Sequence, residues 1–192
     1  MNDTVSLNIP AHYAELVNRS QKDGFTMPSD DYIGSLLRTL ITSKPGGHLL
    51  ELGTGMSLSL SWMIDGMDDR STLISVDNDP NLIAIAKEYY ANDSSVRLIC
   101  ADGAEWINNY KGPKFDLIFA DAWPGKYSEL NETLDLLKTG GFYVIDDMSF
   151  QSNWPDGHEA KVMWLIDQLE KRNDLRLTKL DWSTGVIIAT KC

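Results

Sequence analysis

The sequence predicts a doubly wound α/β fold whose mostly parallel sheet finishes in an antiparallel hairpin. Three observations carry this. Short apolar runs alternate with helical patterns from residue 48 onward, as parallel strands joined by right-handed crossovers require. Several of those runs are apolar at consecutive positions, which is expected where helices cover both faces of a sheet. The last two runs are separated by Trp182-Ser183 alone, too short for a parallel crossover and suited to a hairpin.

A chain of 192 residues has room for one well-buried core and is short for two. Residues 1–192 are therefore expected to form a single domain, with 1–45 an N-terminal helical segment and 46–192 the α/β core. In the first segment Ile33, Leu36, Leu37, Leu40 and Ile41 repeat at helical spacing behind Pro28-Ser29. Strands are expected at 48–53, 72–78, 96–102, 115–121 and 141–147, with the hairpin at 175–181 and 184–190. Leu82, Ile85, Ala86 and Tyr89 mark a helix entered through Asp79-Pro80, an N-cap followed by a first-turn proline. Tyr127, Leu130, Leu134 and Leu137 predict another, stopped by Thr139-Gly140-Gly141. Val162, Leu165, Ile166 and Leu169 form the stripe of a later one.

Charge and composition narrow the partners. With 28 acidic against 17 basic side chains the formal charge is −11, and such a surface repels phosphate backbones, so no nucleic-acid partner is expected. No apolar run reaches the roughly 20 residues of a membrane span, and the opening MNDTVSLNIP lacks the basic start and apolar core of a signal peptide. Cys100 lies in an apolar run and Cys192 stands alone, so both read as free thiols of a cytoplasmic protein. The residues leave the oligomeric state open, with a homodimer among the alternatives.

Ligands of open α/β sheets bind at the carboxyl ends of the strands, where strand order reverses. Four segments put glycine or polar residues at such ends. In Glu51-Leu52-Gly53-Thr54-Gly55 two glycines allow a sharp turn and a close backbone approach to a ligand. Asp77-Asn78 follows roughly 20 residues later, where Rossmann folds place the acid that binds ribose hydroxyls; Asp79 is the better helix cap. Asp102-Gly103-Ala104 ends the third strand, and Asp102 with Glu105 also fits a capping box. Asp121-Ala122-Trp123 puts an acid and an indole at the end of the fourth. A dinucleotide fingerprint would place glycine where this chain has Leu58, which disfavours an NAD-dependent oxidoreductase.

The ordered set ELGTG, VDNDP, ADGAEW, FADAWPGKY and GGFYVIDDM resembles class I S-adenosylmethionine-dependent methyltransferases. More narrowly it is similar to the cation-dependent O-methyltransferases typified by catechol and caffeoyl-CoA methyltransferases, over roughly residues 25–192. The resemblance implies a Rossmann-like methyltransferase sheet, S-adenosylmethionine as cofactor and a small phenolic or catechol-like hydroxyl as acceptor. It implies that Glu51, Gly53 and Gly55 hold the methionine part, with Ser59 on its carboxylate. Asp77 and Asn78 would meet the ribose, Asp102, Gly103 and Ala104 the adenine, with Trp123 beside it and Met27 as an upstream contact. Glu51 and Asp121 suit a cofactor carrying a sulfonium and an ammonium. Ser57 stands where the family often has a further glycine. Fold alone leaves open a non-catalytic cofactor-binding protein.

The resemblance also implies a divalent ion, Mg²⁺ or similar, held by Asp121, Asp146 and Asp147, hard oxygen ligands at the ends of neighbouring strands. The family pairs Asp with Asn where this chain has Asp146-Asp147. In the alternative reading Asp121 serves the cofactor and the Asp pair ends a strand beside solvent. Catechol-type relatives carry a basic lysine at the position of Pro124, and Lys126 is either its substitute, catalytic with Asp121, or a solvated helix-start lysine. Residues 149–158 are expected to form a mobile loop over the site with Trp154 as a wall, and His158 reads either as a proton acceptor near neutral pH or, more commonly for a helix start, as a surface residue.

Overall fold

The computed structural model describes residues 8–152 and 154–192; the opening Met1–Leu7 and Asn153 in the expected loop lie outside them. Two helices come first, α1 (Tyr13–Lys22) and α2 (Asp31–Thr42), and then strand and helix alternate. β1 (His48–Leu52), α3 (Leu58–Asp65), β2 (Thr72–Asp77) and α4 (Pro80–Tyr90) are followed by β3 (Val96–Cys100), α5 (Gly103–Asn109) and β4 (Phe115–Ala120). The remainder is α6 (Leu130–Asp135), β5 (Leu137–Ile145), α7 (His158–Glu170), β6 (Leu175–Leu180) and β7 (Val186–Lys191). The sheet order is β3-β2-β1-β4-β5-β7-β6. The first five strands are parallel, while β7 runs antiparallel to both β5 and β6.

Strand side chains alternate between faces, and both faces are apolar. Leu49, Leu73, Leu117, Phe119 and Val144 belong to a core completed by Leu16 of α1, Ile33, Leu37 and Ile41 of α2, Trp62 of α3 and Ala86 of α4. Their neighbours Leu50, Leu52, Ile74, Val76, Ile118 and Ile145 pack with Ile107 of α5, Leu134 of α6 and Leu165 and Leu169 of α7. Fully burying one such side chain stabilises by roughly 1.5–3 kcal/mol, which favours apolar residues on both faces of the central strands.

The expected cap at Asp79 is present: its carboxylate accepts from Asn81 N at 2.8 Å, with Pro80 opening α4. Three expectations need correction. α2 is capped by Asp30, whose Oδ1 accepts from the backbone of Tyr32 and Ile33, two residues beyond Pro28. The helix expected through Leu137 stops at Asp135, because Leu137 already pairs with Phe115 in β5. The pairing then slips between Phe115 and Leu117, and Gly140, at φ 77, sits in that irregular stretch rather than ending a helix. Finally, Trp182-Ser183 is not the whole hairpin turn; residues 181–185 connect β6 to β7, with Ser183 at φ 59 and Gly185 at φ 83.

Candidate functional site

Strand order reverses beside β1, which lies between β2 and β4, so the carboxyl ends of β1 and β4 open into one crevice. A backbone bond locks these two ends together, Asp121 N donating to Leu52 O at 2.9 Å, and another ties the turn to β2, Gly53 N donating to Val76 O at 2.9 Å. Gly53 has φ +100, and a Cβ there would lie 2.9 Å from Asp121 O. Only glycine lets this turn pass so close to the next strand while keeping its backbone open to a ligand.

The turn is braced from two sides. Gly55 N donates to Asp77 Oδ2 at 3.0 Å, and Asp77 Oδ1 accepts from Asp79 N at 2.9 Å. Beneath it Glu51 is fully buried, accepting from Ser59 Oγ at 2.7 Å and from Ser75 Oγ, which itself bonds Thr54 Oγ1 at 2.6 Å. Burial pushes the Glu51 carboxyl up to about 8 against the pull of the two serine hydroxyls. The Ser59 hydroxyl donates inward to this network, so the chain uses it to brace the turn. Asp77 is likewise a brace as well as a candidate ligand. Asp77→Ala should therefore lower stability by about 1–3 kcal/mol, measured by urea unfolding, where a free strand-end acid would cost almost nothing.

At the third strand Asp102 Oδ1 accepts from Glu105 N at 2.9 Å, so Asp102 caps α5. Gly103 allows α5 to start against Pro124, since an added Cβ would be 3.0 Å from the proline ring. Ala104 follows in the first turn of α5, and Asn78 is exposed beyond β2.

The ends of β4 and β5 form a cleft of about 380 Å³ whose lining includes Met27, Asp121, Trp123, Lys126, Asp146 and His158. The 121–127 segment is shaped by Gly125, at φ +91 with Leu52 packed where a Cβ would stand, and by the Tyr143 hydroxyl donating to Gly125 O. This folds Lys126 inward to 4% exposure, and its Nζ donates to Asp146 O at 2.8 Å. The reading of Lys126 as a solvated helix-start lysine is overturned.

The acids are arranged around that ammonium. Asp146 is 2% exposed; its Oδ1 accepts from Asp147 N at 2.8 Å and from the Thr184 hydroxyl. The reading of the Asp pair as a strand end beside solvent fails for this residue. Asp121 Oδ2 accepts from Ser29 Oγ at 3.2 Å. Burial, then the neighbouring Asp146, hold the Asp121 carboxyl well above its usual range, with Lys126 opposing both. Burial and Asp147 push Asp146 up to about 6. Asp147 itself takes the left-handed conformation, φ 58, costly for a non-glycine residue. Among the described residues no three His, Cys, Asp or Glu side chains converge as metal ligands. Asp121, Asp146 and Asp147 line one cleft without converging on a single point, and the buried Lys126 ammonium lies beside them.

The outer wall is aromatic. His158 is buried, with Nε2 3.2 Å from the Tyr127 hydroxyl. Trp154 lies 4.6 Å from its ring, and Trp123 6.2 Å away on another side. Burial, followed by the charge of Lys126, lowers the His158 pKa, favouring the neutral ring. Trp123 is half exposed at 51%, with Lys161 Nζ 4.2 Å from its ring. Met27 is 69% exposed at the rim. Ser29 and Thr184 are the residues sequence reasoning missed, each reaching the site from a distant element, while His158, read as a surface residue, is buried in the wall instead.

A glycine turn at the end of β1, an acid at the end of β2 and a polar cleft beyond β4 define a doubly wound α/β protein with its ligand site at the switch point. The chain belongs to the O-methyltransferase family, whose model matches residues 5–191. It is 30% identical over 138 residues to the Mycobacterium tuberculosis protein described as "Probable O-methyltransferase Rv1220c", covering 68% of this chain and 62% of that protein's length. Among solved structures it resembles the O-methyltransferase of Bacillus cereus in complex with SAH, at TM-score 0.83 and 18% identity over 98% of this chain and 94% of that one. The SAH-bound methyltransferase PaMTH1 of Podospora anserina gives TM-score 0.81 and 21% identity over 97% and 90%. These structures share the fold.

Proposed function

We propose that the protein transfers a methyl group from S-adenosylmethionine to a hydroxyl oxygen of a small aromatic molecule. The observation that carries this reading is the fused turn in which Gly53 backs directly onto Asp121, setting a ligand cradle beside the acid cleft. An added Cβ would collide with the Asp121 backbone, and the turn that glycine permits leaves Gly53, Gly55 and Asp121 lining one small cavity. Gly53 and Gly55 would hold the methionine part, Asp77 the ribose, and Gly103 and Ala104 the adenine edge. The bound cofactor supplies the electrophilic methyl.

Transfer of this kind needs alignment and exclusion of water more than a protein nucleophile. Tyr127, Trp154 and His158 form a wall against which a planar acceptor stacks. As the oxygen–methyl bond forms, the sulfur–methyl bond breaks and its electron pair returns to sulfur. The hydroxyl proton passes into the acid cluster, where burial brings Asp146 toward neutral proton affinity. A formal charge of −11 favours a small-molecule acceptor over nucleic acid. The unpaired Cys100 and Cys192 fit a cytoplasmic location. Among the described residues no helix is long and apolar enough to cross a membrane.

S-adenosylhomocysteine at a hundred times its Kd should stabilise the fold by about 2.7 kcal/mol, a rise in Tm of roughly 5–10 °C for a domain this size. Differential scanning fluorimetry reads this directly. A strong shift with NAD(H) and none with S-adenosylhomocysteine would overturn the reading.

A further inference from the structure

We infer that the Lys126 ammonium is the resident cation of the acid cluster, filling the role for which the resembling O-methyltransferases use a divalent ion. The inference rests on the proposed methyl transfer for its chemistry, but on the geometry of the cleft alone for the placement of charge. Lys126 is 4% exposed, and one N–H goes to Asp146 O at 2.8 Å. Among the described residues its Nζ has no other hydrogen-bond acceptor, although the Tyr127 ring centre lies 5.6 Å away. Two N–H donors therefore remain for a ligand oxygen in a cleft that Lys126 itself lines. An amine this deeply buried without a carboxylate in contact is costly unless nearby charges compensate. Asp121, Asp146 and Asp147 line the same cleft as its Nζ.

Three further hydrogen bonds hold the acids around the cleft. Thr184 and the Asp147 amide both occupy Asp146 Oδ1, and Ser29 occupies Asp121 Oδ2. Among the described residues no three acids converge on a metal position, and a divalent ion there would sit beside a fixed positive charge. The ammonium can instead donate to the acceptor oxygen as negative charge develops there, the task of a preorganised donor. The tight turn at Gly125 makes the placement, because it fixes the direction from which Lys126 enters.

The test uses Mn²⁺ as the probe, titrated into the protein and followed by electron paramagnetic resonance. Wild type should bind Mn²⁺ no tighter than millimolar, whereas Lys126→Met and Lys126→Gln should bind at least about tenfold tighter once the ammonium is gone. The S-adenosylhomocysteine shift should survive in whichever variant is folded, separating this outcome from a failure of the methyltransferase reading. For turnover on a panel of phenols, wild type should stay active in excess chelator, and Lys126→Met should lose about 100-fold or more in kcat. Lys126→Arg, which keeps the charge, should recover part of that loss. Micromolar Mn²⁺ binding by wild type overturns the inference. So does equal, weak binding by wild type and both variants, or turnover that chelator abolishes and Mg²⁺ restores.

Discussion

Gly53→Ala is expected to cost both stability and cofactor affinity. The new Cβ would stand 2.9 Å from Asp121 O and 3.1 Å from Asp121 C, both backbone atoms that cannot rotate away. A residue with a Cβ is also strained at φ +100, by about 1–3 kcal/mol. Moving β4 to relieve the clash would displace Asp121 from the cradle. We expect Tm to fall by roughly 5–10 °C and S-adenosylhomocysteine affinity by more than about tenfold, or 1.4 kcal/mol. Calorimetric titration checks the affinity. Gly140→Ala is the control: it carries the same kind of strain at φ +77, yet a Cβ there meets nothing within 4 Å. It should lower Tm modestly and leave binding unchanged. Equal affinity in wild type and Gly53→Ala would remove the cradle from the proposal.

Glu51→Gln should change how stability depends on pH. Burial raises the folded-state pKa of Glu51 to about 8, from about 4.3 in an unfolded chain. A raised carboxyl favours folding while it is protonated, so its contribution is complete below the unfolded value and is lost as pH rises through about 8. Each tenfold change in proton affinity on folding is worth about 1.36 kcal/mol. Ligand-free wild type should therefore lose a few kcal/mol from this group between pH 5 and pH 9. A glutamine amide can reproduce the neutral acid's bonds to Ser59 and Ser75 without ionising, so the variant should be the more stable protein at pH 9. The two should converge near pH 5. Asp146 and Asp121 titrate in both proteins, so the difference between the two Tm profiles isolates Glu51. Parallel profiles would mean that the carboxylate is tolerated, charged, beneath the turn.

Sequence pattern reached the sheet because its signal is local. Leu49, Leu50 and Leu52 are buried between two strands and two helix layers, and an uninterrupted apolar run reports that environment. Asp79-Pro80 announced α4 through capping chemistry that depends on its own few residues. α3 gave no comparable signal, since Leu58 through Met63 are all buried and leave no polar face to create a period. Leu137 fitted a helical stripe because a strand start and a helix end can present the same leucine. The glycine turn and the acids at strand ends were readable for the same local reason. The setting of the acids was not. Lys126 is drawn inside by Asp146, Asp146 is engaged by Thr184 from the final hairpin, and His158 is covered by Tyr127 and Trp154. Those contacts follow from strand order, which neighbouring residues do not encode.

That strand order also dictates when the sheet can be finished. β7 lies between β5 and β6, although it is synthesised after both. Until Val186–Lys191 leaves the ribosome, β5 presents an open edge of Phe142, Tyr143, Val144 and Ile145, and β6 has no strand of the sheet to join. Loop closure across such distances is slow, and unpaired apolar edges are where nascent chains associate wrongly. The Thr184 contact to Asp146 can form only in the same late step. Nascent chains stalled before Val186 should therefore carry a protease-sensitive β6 and an incomplete acid cleft, while β1 to β4 are already paired.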